Sequence, residues 1–171
     1  MSFLPKNYEA PKSQSNYLKL EEGQNKFRII SSAIVGYEYW TEDNKPVRMT
    51  KYPENKPTDM RADSKIKHFW AFGVIDREDG AIKILELTQV SIMKAIKVLV
   101  DSEDWGDPKG YDFNITRTGK GIETEYTCQP SPHKMLTPEE IIAVKAKPIN
   151  LDALYDGEDP FEKTIKIEEI F

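Results

Sequence analysis

One cysteine, Cys128, and two histidines, His68 and His133, are all that the 171-residue chain has of either type. An internal disulfide is therefore excluded, and a zinc site would have to complete its four ligands with carboxylates, against the Cys/His habit of structural zinc. No apolar run approaches the roughly 20 residues that cross a bilayer, so no membrane partner is expected. Met1 to Ser15 mixes Lys6, Glu9 and Lys12 with two prolines and lacks an apolar stretch. A secretory signal is not expected there, and the cytoplasm is the expected location. Also missing are a phosphate-cradling glycine loop, a dinucleotide fingerprint and a nucleophile with an evident base. Glu54-Asn55-Lys56 and Asp63-Ser64-Lys65 each resemble half of a metal-dependent nuclease site. Such chemistry needs carboxylates held rigidly around the ion, and these fall in a proline-rich stretch with no strand-borne partner acid. Neither enzymatic activity nor a metal or other cofactor is expected.

What the chain does have is charge, unevenly distributed. The net charge is -5, and Asp152 to Phe171 carries all of it, with seven acids against Lys163 and Lys166. Within the neutral remainder, Lys45 to His68 sets Lys45, Arg48, Lys51, Lys56, Arg61, Lys65 and Lys67 against three acids, a local +4. A basic stretch beside an acidic terminus says more about partners than the total does.

Periodicity points to a mainly β chain. Leu18 to Leu20 and Lys26 to Ser32 read as a strand pair around a turn, and Ile34 to Thr41 as a further strand rich in β-branched and aromatic residues. Glu42 to Ser64, with Pro46, Pro53 and Pro57, reads as a long loop. Lys65 to Asp76 and Ala81 to Thr88 form a hairpin over Glu78-Asp79-Gly80. Gln89 to Ser102 has helical spacing at Ile92, Ala95, Ile96 and Leu99, with Thr88 able to cap it. Tyr111 to Arg117 and Ile122 to Cys128 form another hairpin. Thr137-Pro138-Glu139-Glu140 combines a capping box with proline at the first helical position, and that helix should stop before Pro148. Strands, one central helix, two more strands and a small outer helix is the order of an OB-type five-stranded Greek-key barrel with its helix between strands 3 and 4. The expected organisation is an N-terminal arm over 1–16, the barrel domain over 17–151 and an acidic tail over 152–171.

Tyr37, Tyr39, Trp40, Tyr52, Phe69, Trp70 and Phe72 lie in or beside the basic stretch. Lysine and arginine attract phosphates while flat rings stack on unpaired bases of any identity, which is the pairing that a sequence-tolerant single-strand binder needs. Lys45, Arg48, Lys51, Arg61, Lys65 and Lys67 are the candidate phosphate contacts, and Arg28, Arg117 and Lys120 could extend the groove. Alternation along Lys67 to Val74 puts His68, Trp70, Phe72 and Val74 on one face and Lys67, Phe69, Ala71 and Gly73 on the other. The bulky first face is the better core candidate, so Phe69 ranks above Trp70 as a stacker. Tyr37 and Tyr39 share a face opposite Trp40, and alternation does not say which of the two faces the groove. In the tail, Asp156, Glu158, Asp159 and Phe161 precede Glu168, Glu169, Ile170 and Phe171, interleaving acids with large apolar groups. A peptide of that kind can dock on a partner protein or compete with DNA for a basic groove.

Lys67-His68-Phe69-Trp70-Ala71-Phe72, the strand Ile82 to Gln89, Asp104-Trp105-Gly106-Asp107-Pro108 and Tyr111-Asp112-Phe113-Asn114-Ile115 resemble the helix-destabilising single-stranded DNA-binding proteins of tailed bacteriophages, over about Asn16 to Phe161. The resemblance implies an OB core and cooperative coating of single-stranded DNA during phage replication and recombination, in the cytoplasm of an infected bacterium. It also implies an acidic tail that recruits replication or recombination proteins and tempers DNA binding. The cysteine and histidine cluster that holds zinc in some members is missing here, so no zinc subdomain is expected. The basic arm of others is reduced to Lys6, Lys12 and Ser13. The alternative is an OB-type interaction module of a replication complex that touches DNA weakly.

Overall fold

The computed structural model describes residues 3–7 and 16–161. Among these residues, seven antiparallel strands and two α-helices make the fold mainly β: β1 (Gly23–Ile29), β2 (Ile34–Trp40), β3 (Pro46–Met49), β4 (Lys67–Asp76), β5 (Ile82–Leu87), α1 (Val90–Val100), β6 (Asp112–Thr118), β7 (Glu125–Pro130) and α2 (Pro138–Ala146). The strands run in the order β3-β2-β4-β1-β6-β7, with β5 on the far edge of β4. Among the described residues no ladder joins β5 to β7, so the hydrogen bonding does not close on itself, and seven strands stand where five were expected.

β4 organises the sheet. Its first half pairs with β2 through Tyr37↔His68 and Val35↔Trp70, and its last residues pair with β1 through Phe27↔Asp76 and Ile29↔Val74. β1 and β2 are thus two halves of one bent strand. At the bend the Ile30 N–H donates to the Gly73 carbonyl at 2.9 Å, and the Gly73 N–H donates to Ser31 Oγ at 2.7 Å. The outer edge of β1 carries β6, from Gly23↔Arg117 to Arg28↔Asp112.

Both faces of β4 are buried. On one, Phe72 and Val74 join Phe27, Phe113, Leu85 and Leu87 beneath Ile92, Met93 and Ile96 of α1, the larger core. On the other, Phe69 and Ala71 pack with Ile84 against Leu151 and Leu154 of a short 3-10 helix, Leu151–Asp156. This second layer revises two expectations at once. The fold runs about ten residues past Leu151, with the Asn150 N–H donating to the Pro160 carbonyl at 2.8 Å and Tyr155 OH donating to the Val35 carbonyl at 2.6 Å. The small residues of β4 admit the chain's own segment: a Cβ on Gly73 would stand 2.7 Å from the Ile149 side chain.

Other boundaries moved by a few residues. Leu18 to Leu20 is not a ladder strand; instead Tyr17 bridges Ile84 in parallel, with the Leu18 N–H donating to the Ile84 carbonyl at 2.9 Å. α1 starts on Gln89 without a side-chain cap, so Thr88 does not serve as one. α2 has the full Thr137/Glu140 capping box with Pro138 at its start and ends before Pro148, as its motif predicts.

α2 is held by an ionic relay. Arg28, 1% exposed, donates from Nε to Asp112 at 2.6 Å and from Nη1 to the Lys109 carbonyl at 3.3 Å. Arg77 donates from Nε to the other Asp112 oxygen at 3.1 Å and also pairs with Glu140 on α2.

Candidate nucleic-acid interface

The stretch between β2 and β4, read from sequence as an unstructured loop, is laced to the sheet. β2 turns at Asn44 (φ 60°) into β3, and the Thr41 N–H donates to the Lys45 carbonyl at 2.9 Å. Farther on, the Arg61 N–H donates to the Trp40 carbonyl at 2.8 Å, and the Trp40 N–H donates to Ser64 Oγ at 2.9 Å. Bonds of this kind hold the backbone that carries the basic side chains over the end of β2.

Those side chains divide into two groups. Arg48 is not available: its Nη2 donates to Glu86 at 2.7 Å, and Glu38 lies 3.6 Å from Nε, all three largely buried. β3 puts Arg48 opposite Glu38 in register, and charge counting along the chain cannot see that pairing. Arg61 is half-committed, bonded to Asp63 at 2.5 Å and to Asn44 at 2.8 Å. Lys45, Lys51, Lys65 and Lys67 are exposed and make no ion pair among the described residues. Of the outlying cations, Arg28 is locked in the relay and Arg117 donates to the Leu20 carbonyl at 3.1 Å. Lys120 is exposed in the turn between β6 and β7.

The rings divide likewise. Phe69 (0% exposed) and Phe72 are core, and Tyr39 is buried with its OH donating to Asp59 at 2.8 Å. The preference for Phe69 over Trp70 is thereby reversed, because the segment 147–161 covers the face that looked open, while Trp70 stays half-buried. Tyr37, Tyr52 and His68 form a surface group: Tyr52 meets Tyr37 edge-on at 5.4 Å and His68 lies 5.3 Å from Tyr37. The His68 ring is oriented by Nδ1 2.8 Å from the Gly36 carbonyl. Tyr52 is 60% exposed, and Trp40 is also exposed, on the opposite face near Lys65 and Lys67. His68 is not among the candidates read from sequence, although its place two residues before Trp70 on one face was legible. Gly36 has a specific job here, since a Cβ would sit 2.3 Å from the Met49 carbonyl and push β3 away from β2.

Glu38 and Glu86 share Arg48, and Tyr17 also hydrogen-bonds to that arginine. Burial, reinforced by hydrogen bonding to Glu86 and by its charge, pushes the Glu38 carboxyl from an ordinary 4.5 up to about 8. The folded state then holds a proton that the unfolded chain releases, so the contribution of Glu38 is fully present below the ordinary carboxylate pKa of 4.5 and is lost as pH rises to about 8. Urea denaturation should show a lower midpoint at about pH 9 than at about pH 6. Glu38→Gln should flatten this dependence and raise the midpoint at the alkaline end. Glu140 and Asp79, held low chiefly by backbone N–H donors, titrate below the window and do not mask it.

In the tail, Asp156, Glu158 and Asp159 are exposed, whereas Phe161 packs on the second layer with Lys147 Nζ 4.5 Å from its ring centre. Glu168, Glu169, Ile170 and Phe171 lie outside the described residues. No helix among the described residues is long and apolar enough to cross a membrane, and none of their His, Cys, Asp or Glu side chains cluster in threes fit to hold a metal.

No protein-family model matches the chain, and no solved structure does. Among curated proteins it is similar to a "Probable ssDNA-binding protein" of Escherichia phage T5, 24% identical over an alignment of 139 positions, and the match covers 66% of this chain. The chain spans about half of that relative's length, 54%.

Proposed function

We propose that this protein binds single-stranded DNA without strong sequence preference, holding and protecting it during phage DNA replication and recombination, and that it is not an enzyme. The observation that carries the reading is the surface group of Tyr37, Tyr52 and His68 on one face of the sheet and exposed Trp40 with Lys65 and Lys67 on the other, with Lys45 and Lys51 exposed on the connecting stretch. The name of the phage T5 relative supports it. Rings of this kind stack on bases and lysines neutralise phosphates, so neither feature reads sequence. We read the fold as OB-like, with β1 and β2 as one long first strand, then β4, β5, β6 and β7, α1 between the third and fourth, and β3 as an insertion. The terminal stretch from Asp156 to Phe171, with six acids against Lys163 and Lys166, is the candidate docking segment for replication or recombination partners.

A titration with oligo-dT tests this. Four lysine–phosphate contacts predict a slope of log K against log salt of about -2.8, hence about fiftyfold weaker binding between about 50 and 200 mM salt. An interaction module that barely touches DNA would show no length-dependent binding at the lower salt.

A further inference from the structure

We infer that the groove between the β2–β4 surface and α1 is a nucleobase subsite, in which one unpaired base lies against the Trp70 ring. The inference rests on the single-strand reading and extends it to a place and to a helix that the basic loop does not include. The groove, about 360 Å³, is open to solvent and mostly apolar. Trp70 and Phe72 line it from β4, Val35 from β2, and Ile96 and Val100 from α1. Val35 is 51% exposed and Val100 is exposed too, so these branched side chains stand at the surface without protein cover. A base suits such a place because it has flat apolar faces and polar edges, and the half-buried indole gives it a partner of its own kind.

Continuity with the aromatic group identifies the occupant. Val35↔Trp70 and Tyr37↔His68 are successive same-face pairs of the β2–β4 ladder. Two residues along a strand advance about 6.8 Å, twice the roughly 3.4 Å between nucleotides along one strand of duplex DNA. A single strand drawn out so that its bases are no longer stacked on one another could place one base at Tyr37 and the next at Trp70. Lys97 and Lys109 stand at the groove for the phosphate that follows, each with an acid close by, Asp101 at 2.5 Å and Asp107 at 4.0 Å. A phosphate would compete with those carboxylates for exposed lysines, where ion pairs hold weakly.

The full chain carrying Trp40→Phe and Trp105→Phe leaves Trp70 as the reporter. On titration with oligo-dT at low salt, its emission should be quenched as the strand binds. Val100→Glu should weaken binding at least about fivefold more than Val98→Glu, an equal charge change on the same helix at a residue 68% exposed and outside the groove. Because the double Trp variant could lose its fold, photocrosslinking of the unmodified protein to 5-iodouracil oligonucleotides gives a second readout, with an adduct expected at Trp70. Binding with unchanged Trp70 emission, equal affinities of the two glutamate variants, or adducts at Tyr37 and Tyr52 without Trp70 would overturn the subsite and leave the wider reading standing. Absence of any binding by the unmodified chain would overturn both.

Discussion

Replacing Asp112 with alanine is expected to lower stability by about 3 kcal/mol, and with it the melting temperature by about 6–12 °C. The carboxylate serves two arginines, and the consequence differs between them. Arg77 sits nearer to solvent and keeps Glu140, so it loses little. Arg28 is 1% exposed and would keep only the longer bond to the Lys109 carbonyl, leaving a cation buried without its counter-charge. Removing one partner of a buried pair costs about 3–5 kcal/mol because of the stranded charge, and the partial exposure of Asp112 argues for the lower end. The double variant Arg28→Met with Asp112→Ala should recover much of the loss, since the penalty lies in the unpaired guanidinium. Thermal unfolding of the three variants checks this, and strict additivity of the single effects would refute it.

Tyr52→Ala is expected to weaken oligo-dT binding by about 1–3 kcal/mol, about 5- to 150-fold, while leaving thermal stability nearly unchanged. The separation follows from where the ring stands. At 60% exposed and edge-on to Tyr37, Tyr52 contributes little to packing but offers a face to a base and props the neighbouring ring. Phe69→Ala should behave oppositely, losing stability by about 3–5 kcal/mol as a cavity-forming change between β4 and the 3-10 helix. Equilibrium binding by fluorescence anisotropy, paired with melting curves, distinguishes the two. Equal binding losses per unit of stability lost would mean that neither ring meets DNA.

Much of the fold was legible because it rests on local signals. The hairpin over Glu78 to Gly80, the helical spacing of Ile92, Ile96 and Leu99, and the Thr137 capping box each encode their element within a few residues. What was hidden depends on partners distant in the chain. Alternation along β4 identifies two faces, but it cannot tell a strand covered on both sides from one with a face left open to a ligand. Ala71 and Gly73 share with Phe69 the face ranked as the stacking one, and its occupant is Ile149 with the 3-10 helix behind it. That cover was disguised in turn, because Ala153 and Leu154 lie between Asp152 and Asp156 in what reads as a tail. Arg48 and Tyr39 looked like members of a binding surface until cross-strand register supplied Glu38, β5 supplied Glu86 and the returning loop supplied Asp59. The lysines fared better, since a long flexible side chain on a surface hairpin finds few competing partners.

The most direct test of a DNA surface built on the outer β2–β3–β4 sheet is amide chemical-shift mapping of the labelled full chain during titration with oligo-dT at low salt. The largest shifts should fall at Tyr37, Lys51, Tyr52, Lys67 and His68, with Arg28 and Phe69 little changed. Shifts centred instead on the cleft lined by Lys19, Lys26 and Lys83, with the Tyr37 to His68 surface silent, would contradict the account.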